Sequence, residues 1–139
     1  MVSLDSSGKN IIEIKNLFDG LVKYNCSYNQ ITKIQNLPYS LKELYCGHNL
    51  ITKLENLPIN LQILNCPHNQ ISKIENIYDN LKIFLSTNNK LSKIEQLPNN
   101  LEKLFCSQNQ IIKIENLRLV PSLKFISKNL FLMKIYLLI

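Results

Sequence analysis

LKELYCGHNLITKLENLPIN at residues 41–60 is followed without a gap by LQILNCPHNQISKIENIYDN at residues 61–80, and the two runs agree column by column. Leucine opens each run. Leu44 and Leu64 come three residues on, followed by Cys46 and Cys66, Asn49 and Asn69, and Ile51 and Ile71. LVKYNCSYNQITKIQNLPYS at 21–40, LKIFLSTNNKLSKIEQLPNN at 81–100 and LEKLFCSQNQIIKIENLRLV at 101–120 fit the same frame. Asparagines therefore recur at one fixed interval, at Asn29, Asn49, Asn69, Asn89 and Asn109. A period this strict means that one supersecondary unit is copied, and such a unit cannot bury its apolar face without a neighbour. The chain is expected to fold as a stack.

The alternation Leu44-x-Cys46 sends two side chains to one face of a short strand and Tyr45 and Gly47 to the other, so successive strands pair in parallel. In the second half of the unit, Ile51, Leu54 and Leu57 are spaced to close the coil over a narrow core. Proline has no amide donor and keeps the preceding residue extended, so Leu37-Pro38, Leu57-Pro58 and Leu97-Pro98 discourage a helix on that side. The stretch 1–20 keeps Leu4, Ile11, Ile14, Asn16 and Leu17 in register but puts Lys9 where the asparagine belongs. At the other end, a unit beginning at Val120, one residue early, brings Leu123, Phe125, Leu130 and Met133 to apolar positions. The expectation is a single domain over 1–139, with a degenerate N-terminal unit at 1–20, five repeats over 21–119 and a degenerate C-terminal unit at 120–139.

The run Leu41-x-x-Leu44-x-Cys46-x-x-Asn49-x-Ile51 resembles the leucine-rich repeat signature. The trailing Leu-Pro is similar to the short repeat class of bacterial effectors and of giant-virus repeat proteins. The resemblance implies a repeat solenoid, an α/β-type right-handed superhelix. Its concave face would carry a parallel β-sheet, and its convex side turns and extended segments with little helix. It also implies that Asn29 to Asn109 form a structural ladder, each side chain satisfying backbone groups where the chain leaves its strand. Buried backbone groups left unpaired are costly, and an asparagine can both donate and accept.

Once the frame is set, other columns can be assigned. Cys26, Cys46, Cys66 and Cys106 share one inward column, with Ser86 in the remaining unit. Stacked strands hold such residues about 4.8 Å apart, while a disulfide wants its Cβ atoms about 3.8 Å apart, so small buried thiols are expected. Their survival as thiols implies a reducing compartment, the cytoplasm, or the host cytoplasm if the source is a virus. His48 and His68 are neighbours in a column with Tyr28, Asn88 and Gln108. The cysteines point to the opposite face and cannot complete a metal site with them. Lys33, Lys53, Lys73, Lys93 and Lys113 form a row beside Glu55, Glu75, Glu95 and Glu115. These rows are expected to be solvated ladders that offset one another, with Glu13, Lys15 and Lys134 neutralising the ends.

The chain carries 16 Lys and Arg against 10 Asp and Glu, a net charge of +6. Many lysines belong to those rows, however, and Arg118 is the sole arginine, so bidentate recognition of bases or phosphates is poorly supplied. Gly8, Gly20 and Gly47 are isolated and form no phosphate cradle. No serine or cysteine shares a face with a histidine, so no enzymatic activity and no cofactor or metal is expected. MVSLDSSGKN lacks the apolar run of a signal peptide. The apolar tail from Leu130 to Ile139 is too short to span a bilayer, which takes about 20 residues.

Tyr45, Ile63, Ile83, Leu85 and Phe105 fall at outward strand positions, rimmed by His48, His68, Lys23, Glu43 and Lys103. Apolar and aromatic anchors inside a polar rim suit a protein interface. The expected function is non-enzymatic binding of an unidentified protein through the concave face, directed at a host if the source is a virus or an intracellular bacterium. One alternative is a structural member of an expanded repeat family without a dedicated ligand. The other is weak nucleic-acid binding through lysines. A monomer without membrane attachment is expected, with pairing of two copies through the C-terminal edge as the alternative.

Overall fold

The strand half of each unit is short, because the frame alternates inward and outward side chains only briefly before the backbone turns. The computed structural model describes residues 1–15, 17–94, 97–114 and 124–125. Its strands are β1 (Ser3–Asp5), β2 (Lys23–Asn25), β3 (Glu43–Tyr45), β4 (Lys53–Leu54), β5 (Ile63–Asn65) and β6 (Lys73–Ile74). They continue with β7 (Ile83–Leu85), β8 (Lys93–Ile94), β9 (Lys103–Phe105), β10 (Lys113–Ile114) and β11 (Lys124–Phe125). One parallel sheet runs in the order β1-β2-β3-β5-β7-β9-β11. Among the described residues there is no helix. The molecule is a parallel-strand solenoid, as the repeat predicts.

Register follows the period. Leu4 lies opposite Tyr24, Leu44 opposite Leu64 and Leu64 opposite Phe84, so the first unit joins the sheet in frame despite its worn sequence. At the far end Phe125 lies opposite Leu104, one position later than the period would set it. This corrects the slip expected at Val120, which would have set Leu123 against Leu104: the step is longer than the period, not shorter. The longer step sets Lys124 opposite Lys103 and Phe125 opposite Leu104, which keeps charged and apolar positions in their own rows. The remainder of the tail expected to complete the last coil, Lys134 included, lies outside the described residues.

The core is a set of columns threading the stack. Leu21, Leu41, Leu61, Leu81 and Leu101 form one, and Tyr24, Leu44, Leu64, Phe84 and Leu104 another; all are buried. Fully burying a side chain of this size contributes about 1.5–3 kcal/mol relative to exposure. Each coil closes through a turn in which the amide of Leu41, Leu61 or Leu101 donates to the carbonyl of Pro38, Pro58 or Pro98, at 3.1, 3.0 and 3.2 Å. Proline gives up only a donor the turn does not use.

Two pairings were not legible in the repeat: on the outer side, β4 pairs with β6 and β8 with β10. Lys53, Lys73, Lys93 and Lys113 of the lysine row sit on these short strands, and Lys33 lies outside them. Lys53 bonds to Glu55 at 4.0 Å and Lys73 to Glu75 at 2.6 Å, within their own units. Glu13 meets Lys15 at 3.0 Å, so the residue expected to neutralise the lysine row at its end is held by its own neighbour. All six side chains are largely exposed, and such pairs contribute little to stability.

Candidate functional site

Each asparagine side chain fills the bend after its strand. Asn69 accepts at Oδ1 from the amide of Ile51 at 3.0 Å and donates at Nδ2 to the carbonyls of Cys46, Cys66 and Pro67 at 3.0–3.2 Å. Asn49, Asn89 and Asn109 repeat this, accepting from Ile31, Ile71 and Leu91. Asn29 accepts from both Lys9 and Ile11. Every asparagine thus bonds its own bend and reaches back to the unit before it. Asn29, Asn49 and Asn89 are buried, and Asn69 and Asn109 half-buried. With both polar atoms engaged, these side chains are committed to the backbone of the coil.

The cysteine column is buried and its thiols are free. Burial pushes Cys26 up to about 12 and Cys106 up to about 11, and raises Cys46 and Cys66 strongly. Thiols held so far from ionisation are poor nucleophiles. Among the described residues, no three His, Cys, Asp or Glu side chains converge as a metal site.

Outward residues of the sheet form two adjacent columns. In one, Ile63 and Ile83 are direct neighbours, with Glu43 before them and Lys103 after. In the other, Leu85 and Phe105 are neighbours, preceded by Asn65 and Tyr45. Because outward positions on one strand are two apart, Ile83 and Leu85 share β7 and join the pairs into one block of Ile63, Ile83, Leu85 and Phe105. Three of its members are interlocked neighbours across β7 and β9. All four are half-buried.

Tyr45 stands apart from this block. Asn65 separates it from Leu85, and its side chain is engaged elsewhere. The Tyr45 hydroxyl donates to Glu43 Oε2 at 3.1 Å, Glu43 bonds Lys23 at 3.2 Å, and the Lys23 ammonium lies 4.8 Å from the centre of the Tyr45 ring. Burial, then Glu43, raise the phenol, and the Glu43 bond raises Lys23. This closed cluster went unrecognised in the sequence because Lys23 and Glu43 share a column and Glu43 and Tyr45 a strand, and position alone does not show that the three side chains reach one another.

His48 and His68 stack with Tyr28. Ring centres are 4.3 Å apart at both steps, with planes within 9° and 14° of parallel, and Asn88 Nδ2 lies 2.7 Å from His68 Nδ1. Parallel stacked imidazoles keep their lone pairs in separate planes, an arrangement ill suited to sharing one metal ion. Backbone conformation accounts for the residue types: Tyr28, His48, His68, Asn88 and Gln108 all have φ between 52° and 58°, a left-handed region in which Asn and His are enriched. Asn36, Asn56 and Asn76 form a second such column at 53–54°. Slight desolvation, then His68, hold His48 below its ordinary value. Both histidines lie at the end of the strand face where β3 and β5 finish.

A strand-lined face over a continuous core is the architecture of a protein-interaction module. No helix among the described residues is long and apolar enough to cross a membrane. No family model matches the chain, and no curated protein does. Among solved structures, YopM from Yersinia enterocolitica WA-314 is similar at 31% identity with a TM-score of 0.76, over 85% of this chain and 25% of that one. A Shigella effector LRR domain is similar at 24% identity with a TM-score of 0.54, over 80% of this chain and 60% of that one, a likeness of fold alone. The chain thus spans a quarter of the first and three-fifths of the second. With its strict repeat period and parallel-strand coil, it is a leucine-rich repeat solenoid similar to these bacterial proteins.

Proposed function

We propose that the chain binds a protein partner through its strand-lined face, with Ile83, Leu85 and Phe105 as the anchoring centre and Ile63 extending it. The observation that carries this reading is the register that sets Leu85 beside Phe105 and Ile63 beside Ile83 on the outward side of the sheet. A solvated strand face has no structural need for four large apolar side chains, and interfaces concentrate their energy in such clusters. Lys23, Glu43, Lys103, His48 and His68 supply a polar rim. The effector-like repeat class supports a partner of host origin, met in the cytoplasm where the thiols stay reduced.

Affinity capture tests the reading. Wild type is compared with the Ile83→Ser/Leu85→Ser/Phe105→Ser variant and with Tyr45→Phe, each confirmed folded by circular dichroism. The expected result is a protein recovered by wild type and Tyr45→Phe and lost from the triple variant. Identical recovery by all three baits would overturn the assignment.

A further inference from the structure

The outer side of the coil is split where the sequence breaks its own rule. Leu37-Pro38, Leu57-Pro58 and Leu97-Pro98 close their coils; Ile77-Tyr78 stands at that place in the unit between and makes the same turn, the Leu81 amide donating to the Tyr78 carbonyl at 3.0 Å, but without the proline ring. Pro38, Pro58 and Pro98 are buried, whereas Tyr78 is 37% exposed. Ile74 is half-buried in a column where Ile34, Leu54 and Ile94 are buried. The outer strands divide at the same point, β4 with β6 on one side and β8 with β10 on the other. Between them a cleft of about 540 Å³ opens, lined by Ile74, Ile77, Tyr78 and Ile94 and reaching the core residues Phe84 and Leu91.

We propose that this cleft is a second binding site, distinct from the strand face, that takes an uncharged aromatic side chain carried on a short peptide segment of a partner. Its size falls within the roughly 300–1,000 Å³ of ligand sites, and its lining is mixed, with Ser72, Lys73, Glu75, Asn76, Asp79 and Lys93 beside the apolar residues. Tyr78 supplies an exposed ring, while Phe84, standing where neighbouring units have Leu64 and Leu104, is fully buried and lies behind the cleft. Aromatic groups pack well against an exposed ring. The charged lining is balanced, with Lys73 and Lys93 against Glu75 and Asp79, and much of it is engaged. Lys73 bonds Glu75, and Asp79 accepts from the amide and side chain of Asn99. An ion would have to displace these partners; a neutral ring would not. Ser72 and Asn76, also in the lining, offer hydrogen-bonding groups to a peptide backbone.

Methyl NMR titration with three probes tests the site: acetyl-Ala-Trp-Ala-amide, acetyl-Ala-Ala-Ala-amide and indole. Ile77→Leu/Tyr78→Pro installs the Leu-Pro pair of the neighbouring units and removes the Tyr78 ring, and Ile74→Phe fills the cleft from within; melts establish that each is folded. The tryptophan peptide is expected to give saturable shifts confined to Ile74, Ile77, Leu91 and Ile94 in wild type. Either variant should weaken it at least tenfold, and the alanine peptide should give no response. Indole binding as tightly as the tryptophan peptide would overturn the peptide partner. Equal shifts in wild type and both variants, or none at millimolar peptide, would overturn the site. The strand-face triple variant should bind the peptide like wild type, which keeps this result separate from the capture experiment.

Discussion

Gly47 lies against Pro67: a Cβ built on Gly47 would stand 3.0 Å from the Pro67 Cδ and 3.3 Å from the Pro67 carbonyl oxygen. The two occupy the same column of adjacent units, where the other units place Ser27, Thr87 and Ser107. Gly47→Ala is therefore expected to cost about 1–3 kcal/mol by overpacking. Adding Pro67→Ser, which removes the ring but not the carbonyl, should recover most of that loss in a urea melt. If the double variant is no more stable than Gly47→Ala, the proline ring is not the obstacle.

Asn69→Ala removes one acceptor and one donor group that between them make four hydrogen bonds across two units. The expected loss is about 1–3 kcal/mol in a chemical melt. Asn69→Asp should do no better, since a carboxylate can accept from Ile51 but cannot donate to three carbonyls. Wild-type stability in Asn69→Ala would remove the ladder as a source of cohesion.

Ser86 occupies the cysteine column, is fully buried, and its hydroxyl finds no hydrogen-bond partner among the described residues. A buried hydroxyl without a partner costs free energy that a thiol largely avoids. Ser86→Cys is expected to raise stability by about 1–2 kcal/mol, read as a higher urea midpoint at unchanged slope. A lower midpoint would show that the larger sulfur is not accommodated beside Cys66 and Cys106.

His48 is held below its ordinary value by slight desolvation and by His68. The unfolded chain therefore takes up a proton more readily at this site than the folded one, so the site's contribution favours folding at neutral pH. That contribution falls as the pH drops through the ordinary histidine range near about 6.5. NMR titration should place the His48 midpoint below that of an unhindered imidazole. His68→Asn should raise it, and an unchanged midpoint there would exclude His68 as a cause.

The period exposed what repeats and hid what depends on neighbours. Asn29 to Asn109 and the cysteine column could be assigned because each recurs from unit to unit in one environment. The block of Ile63, Ile83, Leu85 and Phe105 was legible for a related reason: alternation within a strand and the repeat between strands fix both coordinates of an outward residue. Tyr45 was grouped with it because column position says nothing of what a long side chain reaches, and its hydroxyl reaches Glu43. The left-handed backbone at His48 and His68 was hidden because imidazole, phenol and amide side chains share that conformation without looking alike. The Ile77-Tyr78 departure was visible but carried no evident meaning until the outer strands were seen to divide there.

The partners gripped by the asparagine side chains are backbone amides and carbonyls of their own and the preceding unit, atoms that any unit possesses whatever its sequence. A junction built this way carries no address. Whole cassettes can be lost, duplicated or exchanged without rematching side chains at the seam. Where Gly47 meets Pro67 and where Ile77-Tyr78 replaces Leu-Pro, by contrast, particular neighbours have become committed to each other. Those seams, like the one that Lys23 spans to reach Glu43, are places where the order of units matters.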